Sequence, residues 1–524
     1  MATLEERTPF EPPTLEETGG QAISSINNGA VSLRYRSYTP NSTVAETPAA
    51  GQRIVFLVQS SDYEQLLANK CYLRLPLKMA YDLNGRVASL APLALMASAQ
   101  LRINGQVVQS VDNVYETAVF NLRSKANYKD MCSSMGGWYY PSRQGMPYEL
   151  VSEGADSNDG KASGAAPALA AVGVGDETAI RDNCVLPALK QIKIEQDRFM
   201  HSDRQNALKC RQMVEGTDFV VPLGLIFGMC SEAQDFAIPK SEIEFSFVIH
   251  SDFSKRINAG INLAQNSDVF DVETAVTITT GNVSLFAAMS IPLDFKGSAG
   301  QSFLFECPHW TVDTFVPTSS DHTAQISVAP STYKAMVAVQ QKDVNTRTAL
   351  ALNDWRAGYE GLNVTTGGLV TFTGGAVGTS LFLNRNRANS KQRHLQEVEC
   401  RLGSARAPDR PYDLFWADDG LQKSDVYRAY LDHVAATHGV LVGEGIETFE
   451  DWLDYGAITS FPLIRPHDER SSMMTVRTKF AGEGVTAESE FVNRRVLVYT
   501  CSRRNVVLDY SSSENASVQV DDTV

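Results

Sequence analysis

The amino-acid sequence predicts an all-β chain made of two β-rich halves, and three observations carry that expectation. The run "EIEFSFVIH" (242–250) alternates Ile243, Phe245, Phe247 and Ile249 with Glu242, Glu244, Ser246 and Val248. A period of two is the signature of a strand with one face buried. Next, Asn104-Gly105 separates the short runs 100–103 and 106–109; Asn-Gly between β-prone runs predicts a two-residue hairpin, because a type I′ turn needs positive φ at both central residues. Finally, the texture repeats. Pro222-Leu223 follows the hairpin in the first half, and Pro462-Leu463 follows "VECRLGSARAPDRPYD" (398–413) in the second, 240 positions later. Matching order along a chain is the mark of an internal repeat.

Residues 1–30, rich in Glu, Pro, Gly and Asn, read as a flexible arm. Strands are expected at 53–58, 71–83, across the hairpin, at 218–227 and at 242–250. The small-residue stretch 152–179 has neither helical nor strand period and reads as a surface insertion. The segment 255–271 marks the boundary, giving a first domain over 31–265, a second over 266–510 and a C-terminal tail over 511–524. In the second half, strands are expected at 302–307, 310–316, 369–375, 379–384, 396–402, 473–480, 495–501 and 505–510. One helix is expected over 424–439, with Ser424 as cap, Val426, Tyr430 and Val434 on one face, and Gly439 at its end. A shorter helical turn is expected at 449–456.

At 524 residues the chain exceeds what one hydrophobic core serves. Its formal net charge of −15 argues against coating nucleic acid by counterion release, and no specific nucleic-acid site is expected. The N-terminus lacks the basic and apolar regions of a signal peptide, and no apolar run reaches the length of a membrane span. The eight cysteines stand at least 20 positions apart, so spacing draws no zinc framework, and a reducing, intracellular place of synthesis is expected.

The motifs that could carry chemistry are incomplete. "GADSNDGKASG" (154–164) has Ala162 where a phosphate loop needs Ser or Thr, and "GGAVG" (374–378) leads into a strand instead of a helix. "DSNDG" lacks the spacing and distal Glu of a calcium loop. None of the eight histidines sits in HExxH, and no GxSxG elbow occurs. Cys307 and His309 fall on one face of an expected strand with Asp313 nearby, which makes them the best metal or Cys-His candidate, although a packed strand cysteine beside a surface histidine is the plainer account. Asp409, Asp413, Asp418 and Asp419 cluster with Tyr412, Phe415 and Trp416, the composition of a glycoside-hydrolysing or carbohydrate-binding groove. Pro408 and Pro411 make a turn-rich connection the plainer account. Arg503 and Arg504 are expected at a strand turn, as a solvated pair. The chain is therefore read as a non-enzyme, with no catalytic, cofactor-binding or metal residues assigned.

Four stretches in register resemble the double jelly-roll major capsid proteins of tailless icosahedral DNA viruses, the group of virophages, polinton-like viruses and large DNA viruses. They are 94–122, with the Asn-Gly hairpin, Asn113 and Tyr115 leading into a helical stretch; 219–252; "LGSARAPDRPYD" with "SDVYRAYLDHV"; and 461–520. The 152–179 and 310–390 regions match nothing in that pattern. The resemblance implies two consecutive eight-stranded jelly-roll sandwiches with a few short helices in the connecting loops. It further implies a virion protein that self-assembles into pseudo-hexameric homotrimers tiling an icosahedral shell around DNA, with penton and minor capsid proteins as partners.

Overall fold

A computed structural model describes residues 31–41, 47–79, 85–87, 90–124, 136, 216–231, 237–260, 278–292, 298–341, 362–365, 369–372, 395–403, 405–414, 423–438, 452, 458–463, 472–480, 494–511 and 516–522. The expected arm (1–30), the 152–179 insertion and the expected strand at 379–384 lie outside the described residues.

The elements run β1 (Val31–Tyr38), β2 (Arg53–Gln59), β3 (Gln65–Met79), β4 (Gly85–Val87), α1 (Ala91–Ala94), β5 (Met96–Ile103), β6 (Gln106–Asp112) and α2 (Val114–Ser124). Then come β7 (Thr217–Pro222), β8 (Ala237–Ile238), β9 (Glu242–Ile249), α3 (Phe253–Ile257), β10 (Asn258–Gly260), β11 (Ile278–Thr280) and β12 (Ser284–Pro292). The second half holds β13 (Ser302–Phe315), β14 (Asp321–Ser327), β15 (Thr332–Gln341), β16 (Leu362–Thr365), β17 (Leu369–Phe372), β18 (Leu395–Leu402) and β19 (Ala405–Asp413). It closes with α4 (Lys423–His438), β20 (Thr459–Pro462), β21 (Met473–Phe480), β22 (Arg494–Asp509) and β23 (Ser517–Asp521).

Two antiparallel sheets face each other in each half. In the first half β1, β12 and β3 lie side by side with β7 on the far edge of β3, and the opposing sheet is β2-β9-β5-β6. In the second half the sheets are β13-β22-β15-β20 and β14-β21-β18-β19. Numbered one to eight along each half, the principal strands give the orders 1-8-3-6 and 2-7-4-5 both times, which is the jelly-roll order. The short strands β8 and β11 also pair with β3, while β4-β10 and β16-β17 form separate two-stranded ribbons. After the fifth principal strand each half makes a helix, α2 or α4.

The strand alternation is realised as expected. On β9, Ile243, Phe245, Phe247 and Ile249 are buried, and its neighbour β2 buries Ile54, Phe56 and Val58 against them. The Asn-Gly turn has φ of +48° at Asn104 and +80° at Gly105, the pair that a type I′ hairpin requires.

Five expectations of the fold are corrected. First, the boundary at residue 266 falls too early: β11 and β12 lie beyond it, yet pair with β3, and β12 also pairs with β1. Second, the apolar run 218–227 is strand only to Pro222, beyond which Leu223–Leu225 and Gly228–Cys230 form two 3-10 turns. Third, the two strands expected at 302–307 and 310–316 are one, β13. Pro308 is tolerated inside it because, among the described residues, β13 pairs only with β22 and is a sheet edge, where a missing N–H costs no ladder bond. Fourth, 495–501 and 505–510 are likewise one strand, because β13 pairs continuously with β22 across Ser502–Asn505. Fifth, the segment expected as a tail carries β23, which pairs with the last residues of β22.

The helix expected at 424–439 is α4, which begins and ends one residue earlier. Of the expected 449–456 turn only Trp452 is described, and it is helical and buried.

A methyl group on Gly105 would meet nothing within 4 Å, but the residue sits at φ +80°. Gly105→Ala is therefore expected to cost about 1 kcal/mol through backbone strain alone, read as a lower urea midpoint with an unchanged m-value.

Candidate functional site at the seam between the two sandwiches

Among the described residues, a buried set of polar and charged side chains gathers where the two halves meet. Strands β15 and β22 are buried on both faces over Ala335–Gln340 and Arg495–Ser502, whereas their neighbour β13 buries one face and exposes the other. Ala335, Val337, Val339, Val496 and Val498 point into the second sandwich, whereas Met336, Ala338, Leu497, Tyr499 and Cys501 join the core of the first. A strand buried on both sides reads as a continuous apolar run, which is why "AMVAV" and "VLVYT" show no alternation.

Helix α2 is inserted at this seam, and all of its residues are buried. Phe120 lies 5.2 Å, ring to ring, from Tyr499. The Tyr499 hydroxyl donates to Asn121 Oδ1 at 2.8 Å, and Asn121 Nδ2 donates to the carbonyl of Leu225 at 3.0 Å. Glu116 is fully buried and is paired with Arg495 of β22, which also donates through Nε to Gln340 Oε1 at 2.6 Å. Arg256 of α3, equally buried, stands 3.9 Å from Glu116 and donates to the carbonyl of Ala94 at 3.0 Å.

The hairpin supplies the second set of ties. Asn104 donates through Nδ2 to the carbonyl of Ala516 at 3.0 Å, and its Oδ1 accepts from the amide of Glu242 at 2.8 Å. Gln109 donates to the carbonyl of Pro308 at 2.8 Å and accepts from the amide of Met229. Asn113 donates to the carbonyl of Val312 at 3.0 Å. Gly228 belongs to the same contact: a Cβ there would overlap the Pro308 carbonyl oxygen, so glycine is required for close approach.

The candidates expected from the sequence fall into this frame. Cys307 and His309 are both buried on β13, with Asp313 exposed further along the strand. Burial pushes the Cys307 thiol up to about 12, which leaves it without thiolate character at neutral pH. Burial, helped by the Arg504 guanidinium and opposed by Asp522, pushes the His309 imidazole down to about 4. Among the described residues no group of three or more His, Cys, Asp and Glu is placed to hold a metal ion. Five cysteines are described, at 71, 230, 307, 400 and 501, all buried and reduced.

Tyr412 does not line a groove. It is buried, donates to Asp432 Oδ2 of α4 at 2.6 Å and stacks on Phe461 at 5.5 Å. Asp413 lies opposite Glu397 in the β18–β19 ladder. Asp418, Asp419, Phe415 and Trp416 lie outside the described residues, as do the glycine-rich stretches 154–164 and 374–378. The arginine pair is not at a turn. Arg504 binds the carboxylate of Asp522 and donates to the carbonyl of Val108 at 2.6 Å, which ties β22 to the hairpin. Arg503 is exposed, 3.5 Å from Glu306 and stacked at 5.8 Å on Tyr333.

Sequence reasoning missed Glu116, Asn121, Gln340 and Arg495. The one available signal was a polar residue inside an apolar run, as with Gln340-Gln341 after "MVAV".

The class that this geometry defines is a tandem jelly roll with a fused seam. No family model matches the chain, and no curated protein matches it in sequence. Solved structures do match its fold. A chain of the PBCV-1 virus capsid quasi-atomic model is 11% identical, with a TM-score of 0.50 over 93% of this chain and 96% of its own. A chain of the Sputnik virophage, determined by cryo-EM, is 11% identical, with a TM-score of 0.51 over 100% of this chain and 93% of its own. The double jelly roll is thus the shared fold.

The seam can be probed at two positions. Gly228→Ala forces a methyl into the Pro308 carbonyl and is expected to cost about 3 kcal/mol or more, seen as a lower Tm. For His309, the native imidazole titrates near 4 and the unfolded one near 6.5. Between those values the unfolded chain binds the extra proton, so stability falls as pH falls, by about 3 kcal/mol across the window. His309→Gln is expected to flatten the dependence of Tm on pH between pH 6.5 and 4.

Proposed function

We propose that this chain is a structural major capsid protein whose copies tile a viral shell. The observation that carries the reading is the duplicated 1-8-3-6 and 2-7-4-5 connectivity, fused side by side through two strands, β15 and β22, whose side chains enter both cores. A chain of this kind is a rigid pair of similar wedges. Three copies around a closed three-fold axis would offer six wedges in a nearly hexagonal outline, a shape that tiles a surface. The likeness in fold to a chain of the PBCV-1 virus capsid supports this reading. In it, function lies in contacts between copies, penton and minor capsid proteins are further partners, and the chain resides in the virion and catalyses no reaction.

The carbohydrate-groove alternative loses its support at Tyr412, whose ring and hydroxyl are both used inside the second sandwich.

The test is the oligomer. Purified full-length chain is expected to run as a trimer in light scattering and to give hexagonal particles in negative stain; a stable monomer refutes the reading. Deleting residues 1–28 is expected to leave the trimer intact and to impair shell formation, read as loss of large particles in sedimentation.

A further inference from the structure

The seam inside the chain has two components: the outer face of a 1-8-3-6 sheet, and the helix that follows the fifth strand of the other sandwich. The second sandwich supplies the sheet, β13-β22-β15, and the first supplies the helix, α2. Because both halves have the same connectivity, each component exists a second time. The first sandwich has its own 1-8-3-6 sheet, and the second has its own helix, α4.

Both of these second components present apolar side chains to solvent. In the β1–β12 ladder, Met289 and Ala287 belong to the first core and lie opposite Arg34 and Arg36, so Leu33 and Tyr35 stand on the outer face. Leu33 is 43% and Tyr35 50% exposed. On the same face Tyr72 stands 6.3 Å, ring to ring, from Tyr35, and the half-buried Phe286 lies directly opposite Tyr72 in the β12–β3 ladder. The equivalent place on the eighth strand of the second sandwich is where Tyr499 receives Phe120. On α4, Val426, Ala429 and His433 face inward, while Tyr427, Leu431 and Ala435 form an exposed stripe at i, i+4 and i+8. Tyr427 is 48% and Leu431 40% exposed.

We propose that the Tyr427–Leu431 stripe of α4 docks on the outer β1–β12–β3 face of a second copy of this chain, around Leu33, Tyr35, Tyr72 and Phe286, repeating between chains the contact that α2 makes within one. This inference rests on the assembly proposed above and names its interface. The occupant is another copy because the chain already contains a helix and a sheet of the same topological positions seated together. Within one chain the two remaining components belong to opposite sandwiches. Each copy therefore offers a helix to one neighbour and a sheet to the other, a head-to-tail contact that closes into a ring.

Tyr35→Glu and Leu431→Glu, made separately in the full chain, test it by light scattering, with thermal melts as the check on folding. Each alone is expected to lose the wild-type assembly and run as a monomer with an unchanged melt. An equimolar mixture is expected to give a dimer and nothing larger, because each variant keeps one intact face; a self-complementary contact could not give that result. Should either variant melt early, Tyr35→Cys mixed with Leu431→Cys and a bismaleimide replaces it. A covalent dimer above the wild-type background is then expected, and its absence overturns the interface. Assembled wild type with both Glu variants still assembled overturns this interface and leaves the capsid reading standing. A monomeric wild type overturns both.

Discussion

The constraint on which the rest of the structure depends is that two paired strands, β15 and β22, serve two cores at once. Their residues alternate between sandwiches: Val337, Val339, Val496 and Val498 to the second, Met336, Ala338, Leu497 and Tyr499 to the first. Burying a large apolar side chain contributes about 1.5–3 kcal/mol. Met336, Leu497, Tyr499, Trp310 and Val312 on the shared face therefore contribute on the order of 10 kcal/mol, comparable with the whole stability of a domain. Interfaces between independent domains are smaller and more polar, and permit relative motion. Here, separating the halves would strip Trp310, Val312 and Tyr499 of their cover, so the pair behaves as one body.

The buried charges at the seam have a different role. Glu116, Arg495 and Arg256 are all nearly inaccessible. A buried ion pair gains little net stability over an apolar replacement, because desolvation offsets the attraction. Breaking one, in contrast, strands a charge. The arrangement therefore penalises any misplacement of α2 more than it rewards the correct one. Helix α2 has no exposed face, so apolar packing alone would tolerate rotation or a slip of one turn. A slip would leave Glu116 away from Arg495, and Asn121 away from both Tyr499 and the Leu225 carbonyl. The polar set fixes the register that the apolar set permits.

What could be read from the sequence divides along the same line. Strands with one wet face declared themselves: β9 by strict alternation, and the β5–β6 hairpin by Asn104-Gly105, whose φ values the turn demands. Helix α4 was legible from its periodicity, although it begins at Lys423, which puts the expected cap Ser424 inside the helix. Elements shaped by the other half of the chain were not legible. Pro308 and the polar run Ser502–Asn505 look like breaks, and only long-range pairing of β13 with β22 carries both strands through. The boundary placed at residue 266 failed for a similar reason, because the last strand of a jelly roll lies beside the first and third, and its partners are far away in sequence. Of the candidate sites, Cys307 and His309 do lie on one strand, but the histidine expected at the surface is buried, and no local pattern could show that Gln109 of the other sandwich reaches this part of β13.

The outer face of the first sandwich differs from that of the second in a way that suits different timing. The second sandwich's face is apolar and covered within the chain, so it never meets water once folded. The first sandwich's face carries Tyr35 and Tyr72 beside Arg74, which is paired with Asp218 at 2.5 Å. Tyrosine presents a large apolar ring with a polar end, and interface centres are enriched in it. A face of this mixed kind can stay in solution before copies meet and still bury substantial apolar area when they do. A face as apolar as that of β22 would associate indiscriminately. In the proposed assembly the duplication would supply the same contact twice, and the difference in side chains would decide which is made during folding and which is left for copies to make.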